Sequence, residues 1–207
     1  MNDIWPIVHA ERAALIDDLA RLTPEQWATP SLCEGWDVHD VLAHLVDTAR
    51  ATRVRFVLGL ARARFDFHRQ NADGVAAQRR ASPADTLAAF RAVQEWTATP
   101  PAPLETRLNE AFVHGEDIRR PLGLRGSYPT RYVLRTLALQ VRTDEKWGGG
   151  KQRVAGVTLR ATDADHAIGE GPVVEGPAMA LLLVTCGRSV ALTELTGPGL
   201  ERLAARL

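Results

Sequence analysis

The chain has 207 residues, 45% hydrophobic and 24% charged, with 25 basic residues against 25 acidic ones. That balance excludes a disordered chain, which is polar and charge-biased, and a phosphate-tracking nucleic-acid binder, which carries a basic surplus. No apolar run approaches the roughly 20 residues that cross a bilayer, so neither nucleic acid nor membrane is an expected partner.

In chain order, residues 4–22 show an amphipathic helical period in Ile4, Ile7, Val8, Leu15, Leu19 and Leu22. Thr23-Pro24-Glu25 restarts a helix with proline at its first position. After the loop TPSLCEGW, Asp37 is an expected N-cap, and the stripe Val38, Val41, Leu42, Leu45, Val46 predicts a second long helix running to about residue 65. Ser82-Pro83 opens a third, with Leu87, Phe90, Val93 and Trp96 in period. Pro100, Pro101 and Pro103 break it, and a fourth helix spans about 104–120, stopped by Pro121-Leu122-Gly123. Pro129 starts a fifth. Beyond Gly148-Gly149-Gly150 the texture changes: RVAGVTLRAT alternates as a half-buried strand does, HAIGEG and PVVEG are short strand-and-turn pieces, 177–186 is an apolar helix, SVALTEL a strand or helix start, and 199–207 a closing helix. Two domains are therefore expected, a helical bundle over 1–147 and a small α+β domain over 151–207. The latter is short for an independent core.

Glu110 and His114 stand four apart, on one face of the fourth helix. His44 interrupts the apolar stripe between Val41, Leu42 and Leu45, which aims it inward. Facing helices of a bundle supply metal ligands in this way, and a His, Glu, His set leaves a tetrahedral zinc one open position, the mark of a catalytic site. Asp117, three residues after His114, is a candidate to accept that imidazole's other N–H. Asp47, three after His44, and Asp40, four before it, are the corresponding candidates for His44. Trp36 is a candidate for the pocket mouth, with packing at the bundle end as its other reading. Cys33 reads as a small buried thiol. The two cysteines, Cys33 and Cys186, give no disulfide framework.

The wider segments carry a resemblance. Residues 31–45, SLCEGWDVHDVLAHL, and 109–118, NEAFVHGEDI, followed by Leu122-Gly123, resemble the signature of the mycothiol-dependent maleylpyruvate isomerase family in the DinB-like metalloprotein superfamily. The stretch 70–83 and the tail, with Gly176-Pro177-Ala178 and Cys186-Gly187-Arg188, are similar to the rest of that pattern. The resemblance implies a mostly α protein, a DinB-like up-and-down four-helix bundle followed by a small α+β C-terminal domain. It implies a divalent metal on His44, Glu110 and His114, zinc first and nickel second, and mycothiol as thiol cofactor. It further implies a small electrophilic substrate and a monomeric or homodimeric enzyme. Arg188, in the Gly-Arg step of the tail, is the matching candidate for a carboxylate of substrate or thiol. An arginine-rich chain, with 23 Arg against only Lys146 and Lys151, fits the high-GC actinobacterial sources of that family. The N-terminus lacks a basic segment followed by a long apolar one, which makes a cytoplasmic protein the expectation.

The chemistry implied is cis–trans isomerisation by reversible thiolate addition, or S-transfer if the thiol stays attached. Two other classes share the residues: a metal-binding stress or sensor protein without catalysis, and a metal-free helical interaction module in which Glu110 and His114 are a surface pair.

Overall fold

A computed structural model of the chain describes residues 3–207. Four helices form a ring: α1 (Trp5–Leu19) packs on α6 (Pro83–Ala92) and α7 (Glu105–Arg119), and α3 (Val38–Ala49) packs on the same two. Their inward stripes close the core, with Leu15, Leu19, Val38, Val41, Leu42, Phe90 and Ile118 buried. This is the four-helix bundle that the resemblance implies, with α7 ending in a short turn of 3-10 helix over Arg120–Leu122 and Gly123 in the left-handed region at φ 72°. The one-turn α2 (Pro24–Trp27) carries a reciprocal cap in which Thr23 and Gln26 each accept the other's backbone N–H.

The long helix expected to run from 38 to about 65 is broken in two. α3 ends at Ala49, and α4 (Arg53–Arg62) starts afresh because Thr52 takes an extended conformation and its hydroxyl accepts the Arg55 N–H at 3.3 Å. The apolar stripe of α3 is spent inside the bundle, whereas α4 buries no residue fully. A further helix, α5 (Phe67–Gln78), packs along α3, and α4 packs on α5. Its sequence has little apolar period, and only Val75 and Gln78 are buried. Its start is set by the Asp66 carboxylate, which accepts the Arg69 N–H at 3.0 Å.

The compact units divide after Ser127, ahead of the Gly148–Gly150 boundary expected from sequence, because α8 (Thr130–Gln140) packs on α9 (Ala178–Thr185). In this second unit a three-stranded sheet has the order β2-β1-β3: β1 (Thr158–Ala161) pairs antiparallel with β2 (His166–Gly169) and parallel with β3 (Val173–Gly176). The apolar run 180–184 on α9 is fully buried, and Asp163 accepts the Ala178 N–H at its first turn, 2.9 Å away. SVALTEL is a 3-10 segment, Ser189–Glu194, and α10 (Leu200–Ala204) closes the described chain.

Two ties hold α7 and α3 in the bundle. On α7, Arg119 is fully buried and pairs with Glu11 and, at 2.7 Å, with Asp18, both on α1. Replacing Arg119 with Met leaves a buried carboxylate without its cation, and denaturant unfolding should show a loss of about 3–5 kcal/mol. On α3, buried His39 meets Thr86 Oγ1 through its Nε2 at 2.7 Å. Burial first, then the nearby Arg79 charge, lowers its pKa from 6.5. The neutral ring therefore stabilises the fold above the unfolded pKa, and that contribution is lost as the pH falls below it. Unfolding free energy should fall between about pH 7 and pH 5, and His39→Gln, which keeps a partner for Thr86, should flatten that slope.

Candidate metal centre

The site is assembled from α3, α7 and the loop ahead of α3. That loop is closed on itself: Ser31 donates its N–H and its hydroxyl to the Trp36 carbonyl at 2.9 and 2.8 Å, and accepts the Cys33 N–H at 3.1 Å. Gly35 makes the reversal at φ 76°, where any side chain is strained. The Leu32 N–H donates to the Asp117 carbonyl at 3.2 Å and anchors the loop to α7. Asp37 then caps α3, accepting the Asp40 N–H at 2.7 Å while Asp40 accepts the Asp37 N–H at 3.1 Å. With its first turn held this way, α3 presents His44 to α7.

His44 Nε2 lies 3.2 Å from Glu110 Oε2, and His114 Nε2 lies 3.7 Å from the same oxygen. The two imidazoles meet edge to face, centroids 4.7 Å apart. The three donor atoms all fall within 4.8 Å of one another, close enough to share one ion. Glu110 Oε2 is buried and makes no aligned hydrogen bond, although it faces two ring nitrogens. A buried carboxylate oxygen in that state is an orphan by ordinary hydrogen-bond accounting, and a divalent cation between the three atoms satisfies it. The residues present fit the metal.

The far side of His114 is tied down. Its Nδ1 lies 2.8 Å from Asp117 Oδ2, and the Cys33 thiol donates to the same oxygen at 3.0 Å. An N–H at Nδ1 leaves the Nε2 lone pair for a metal, the arrangement by which a carboxylate orients a ligand imidazole. Burial alone raises the Glu110 pKa, but the close polar contact and charge of His44, with His114 and Arg107 behind them, hold it well below the usual carboxylate range. Burial lowers His114, yet its bonds to Asp117 and Cys33 outweigh this and raise it to about 10. The chain alone thus sets a carboxylate against an imidazolium, charges that a metal ion reorganises when it binds.

Of the residues singled out from sequence, His44, Glu110, His114 and Asp117 are brought together. Asp40 and Asp47 are not brought to His44. Asp40 is engaged with Arg79 at 2.6 Å and with the helix cap, Asp47 faces Arg55 at 3.4 Å, and His44 Nδ1 has no hydrogen-bond partner. Each is on the right helix, but neighbouring cations on α4 and at the end of α5 compete for it. Trp36 is half-buried with its ring 5.2 Å from the His44 ring. Arg188 belongs to the second unit, where it donates to the Cys186 carbonyl at 2.5 Å. Cys33, read as a buried packing thiol, is half-buried and bonded to Asp117. Arg107, one turn before Glu110 with Nη2 4.0 Å from Glu110 Oε1, also went unnoticed, although its i,i+3 spacing marks the shared face.

Residues 8–119 match the family model of the mycothiol maleylpyruvate isomerase N-terminal domain. No curated protein matches the chain. Its fold is similar to the crystal structure of the mycothiol-dependent maleylpyruvate isomerase, with a TM-score of 0.65 at 15% identity over 95% of this chain and 92% of that one. A histidine-to-alanine mutant of that enzyme gives a TM-score of 0.64 at the same identity and coverage. At this identity the structures speak for the fold, a helical bundle unit and a small α+β unit. The sequence match speaks for the family: it spans more than half of the chain and contains His44, Glu110, His114 and Asp117. The chain belongs to the family of the mycothiol maleylpyruvate isomerase N-terminal domain, and is an enzyme.

Proposed function

We propose that this protein is a divalent-metal enzyme that uses the low-molecular-weight thiol mycothiol to isomerise a cis double bond in a small electrophilic substrate. The observation that carries this reading is the convergence of His44 Nε2, His114 Nε2 and the orphaned Glu110 Oε2. A divalent metal would be held by the His44 and His114 imidazoles and the Glu110 carboxylate, and it would supply the acidity that makes a thiol a thiolate.

The chain's own part is positioning. Asp117 fixes the His114 tautomer and ring plane through Nδ1. Trp36 lies against His44, and Arg107 faces the Glu110 oxygen that points away from the imidazoles. The chemistry conserves atoms. The thiolate sulfur bonds one carbon of the double bond, and the adduct rotates about the resulting single bond. The carbon–sulfur bond then breaks, the thiolate leaving with its electron pair as the trans double bond forms.

Elemental analysis of the purified protein beside Glu110→Ala tests the centre. About one divalent ion per chain is expected in the wild type and none in the variant. No metal in either, even after reloading with zinc, overturns the reading. Asp117→Asn should keep the three ligands yet weaken zinc about 10–100-fold in a chelator competition, as loss of an orienting carboxylate does elsewhere. With mycothiol and a cis-configured unsaturated diacid, turnover should need the thiol and vanish in His44→Ala.

A further inference from the structure

The loop ahead of α3 reaches both imidazoles of the candidate centre. At one end it sets the Trp36 ring 5.2 Å from the His44 ring, and at the other it brings the Cys33 thiol to His114. Cys33 Sγ lies 3.0 Å from Asp117 Oδ2 and 3.6 Å from His114 Nδ1, and that nitrogen lies 2.8 Å from the same oxygen.

With the His114 proton on Nδ1, the nitrogen accepts nothing, so the one thiol hydrogen goes to Asp117. Two donors then hold a single carboxylate oxygen between them. The Asp117 side chain is fully enclosed, and an enclosed carboxylate keeps its place through the donors that reach it. The loop backbone is fixed without the thiol, by the Leu32 N–H on the Asp117 carbonyl at 3.2 Å and the Cys33 N–H on the Ser31 hydroxyl at 3.1 Å. The sulfur can therefore be changed without moving the chain that carries it. Cys33 stands at Nδ1, whereas Nε2 is the His114 atom that faces Glu110, at 3.7 Å. The thiol is thus placed to act on the ligand imidazole through Asp117 rather than to share an ion at Nε2.

We propose that Cys33 is a positioning residue of the metal centre: its thiol holds Asp117 Oδ2 against His114 Nδ1 and so sets the aim of His114 Nε2. This rests on the metal part of the proposed function and not on its thiol chemistry. A hydroxyl at the same place donates the same bond, and a methyl group donates none. Acting through a second side chain, Cys33 contributes less than Asp117 itself: about threefold to tenfold in zinc affinity, against about 10–100-fold for the carboxylate that touches the ligand.

The test is zinc affinity by chelator competition, with the cobalt(II) absorption spectrum as a second readout, on wild type, Cys33→Ala and Cys33→Ser. The alanine variant is expected to weaken zinc about threefold to tenfold and to shift the ligand-field bands of bound cobalt, and serine to restore both. In an Asp117→Ala background, Cys33→Ala should cost nothing further, since residues that act through one another are not additive. Should Asp117→Ala fail to fold, the serine rescue decides alone. Equal zinc affinity in wild type and Cys33→Ala overturns the proposal, even where the metal-free alanine variant unfolds earlier, because that pattern is packing alone. A loss that serine does not restore, or that persists in full without Asp117, overturns it too. So does an intense near-ultraviolet thiolate-to-cobalt band in the wild type that serine abolishes, which makes Cys33 a ligand. A wild type that binds no metal sinks the centre and this proposal together. Metal bound with the expected dependence on Cys33, but without thiol-dependent turnover, sinks the proposed function and leaves Cys33 as assigned.

Discussion

From Arg107 to Arg119 nearly every residue of α7 is buried or half-buried, yet the segment carries Arg107, Glu110, His114, Glu116, Asp117 and Arg119. A helix enclosed on all sides cannot leave those groups to water, so each needs a partner of its own. Arg119 turns to α1 and takes Glu11 and Asp18. Glu116 takes Arg120 at 2.7 Å and the Gly126 N–H at 2.9 Å. The remaining face, Arg107, Glu110, His114 and Asp117, meets α3 and the loop ahead of it. Within that face the buried Glu110 Oε2 has no hydrogen-bond partner.

The bundle around α7 follows from the same requirement. α3 must offer an imidazole rather than another leucine opposite Glu110, and its start is fixed by two side-chain caps and a loop anchored to the Asp117 backbone. An α3 rotated by one residue turns His44 about 100° away from α7, given 3.6 residues per turn. α4 and α5 stand outside this arrangement, and their sequences are correspondingly loose in pattern. They are defined by caps at Thr52 and Asp66 more than by burial.

The family match ends at residue 119, within the first compact unit, and the four clustered site residues fall inside it. The second unit is organised by its own apolar helix, α9, against α8 and the three-stranded sheet. Family and fold therefore agree on the scaffold, while the partner groups of the site are read from this chain's own distances.

Much of this was legible in the sequence because helical spacing is a local rule. Apolar residues at three- and four-residue intervals marked α1, α3 and α6, and the breakers on either side bounded α7. An imidazole inside an apolar stripe marked His44, and i,i+4 and i,i+3 spacing placed Glu110, His114 and Asp117 on one face. Tertiary structure decided what depends on competition between distant groups. Asp40 and Asp47 sit as well as Asp117 does by spacing, but Arg79 and Arg55 reach them first. Cys33 meets Asp117, and Arg12 meets the carbonyls after α6, across 84 and 81 to 84 residues of chain. The end of the bundle unit at Ser127 likewise depended on which helix α8 packs against. Sequence thus determined the core helices of the bundle and the shared face of Glu110, His114 and Asp117, which local geometry dictates. The fold alone determined which charges found partners and which did not, because pairing inside a low-dielectric core depends on every group that folding brings near.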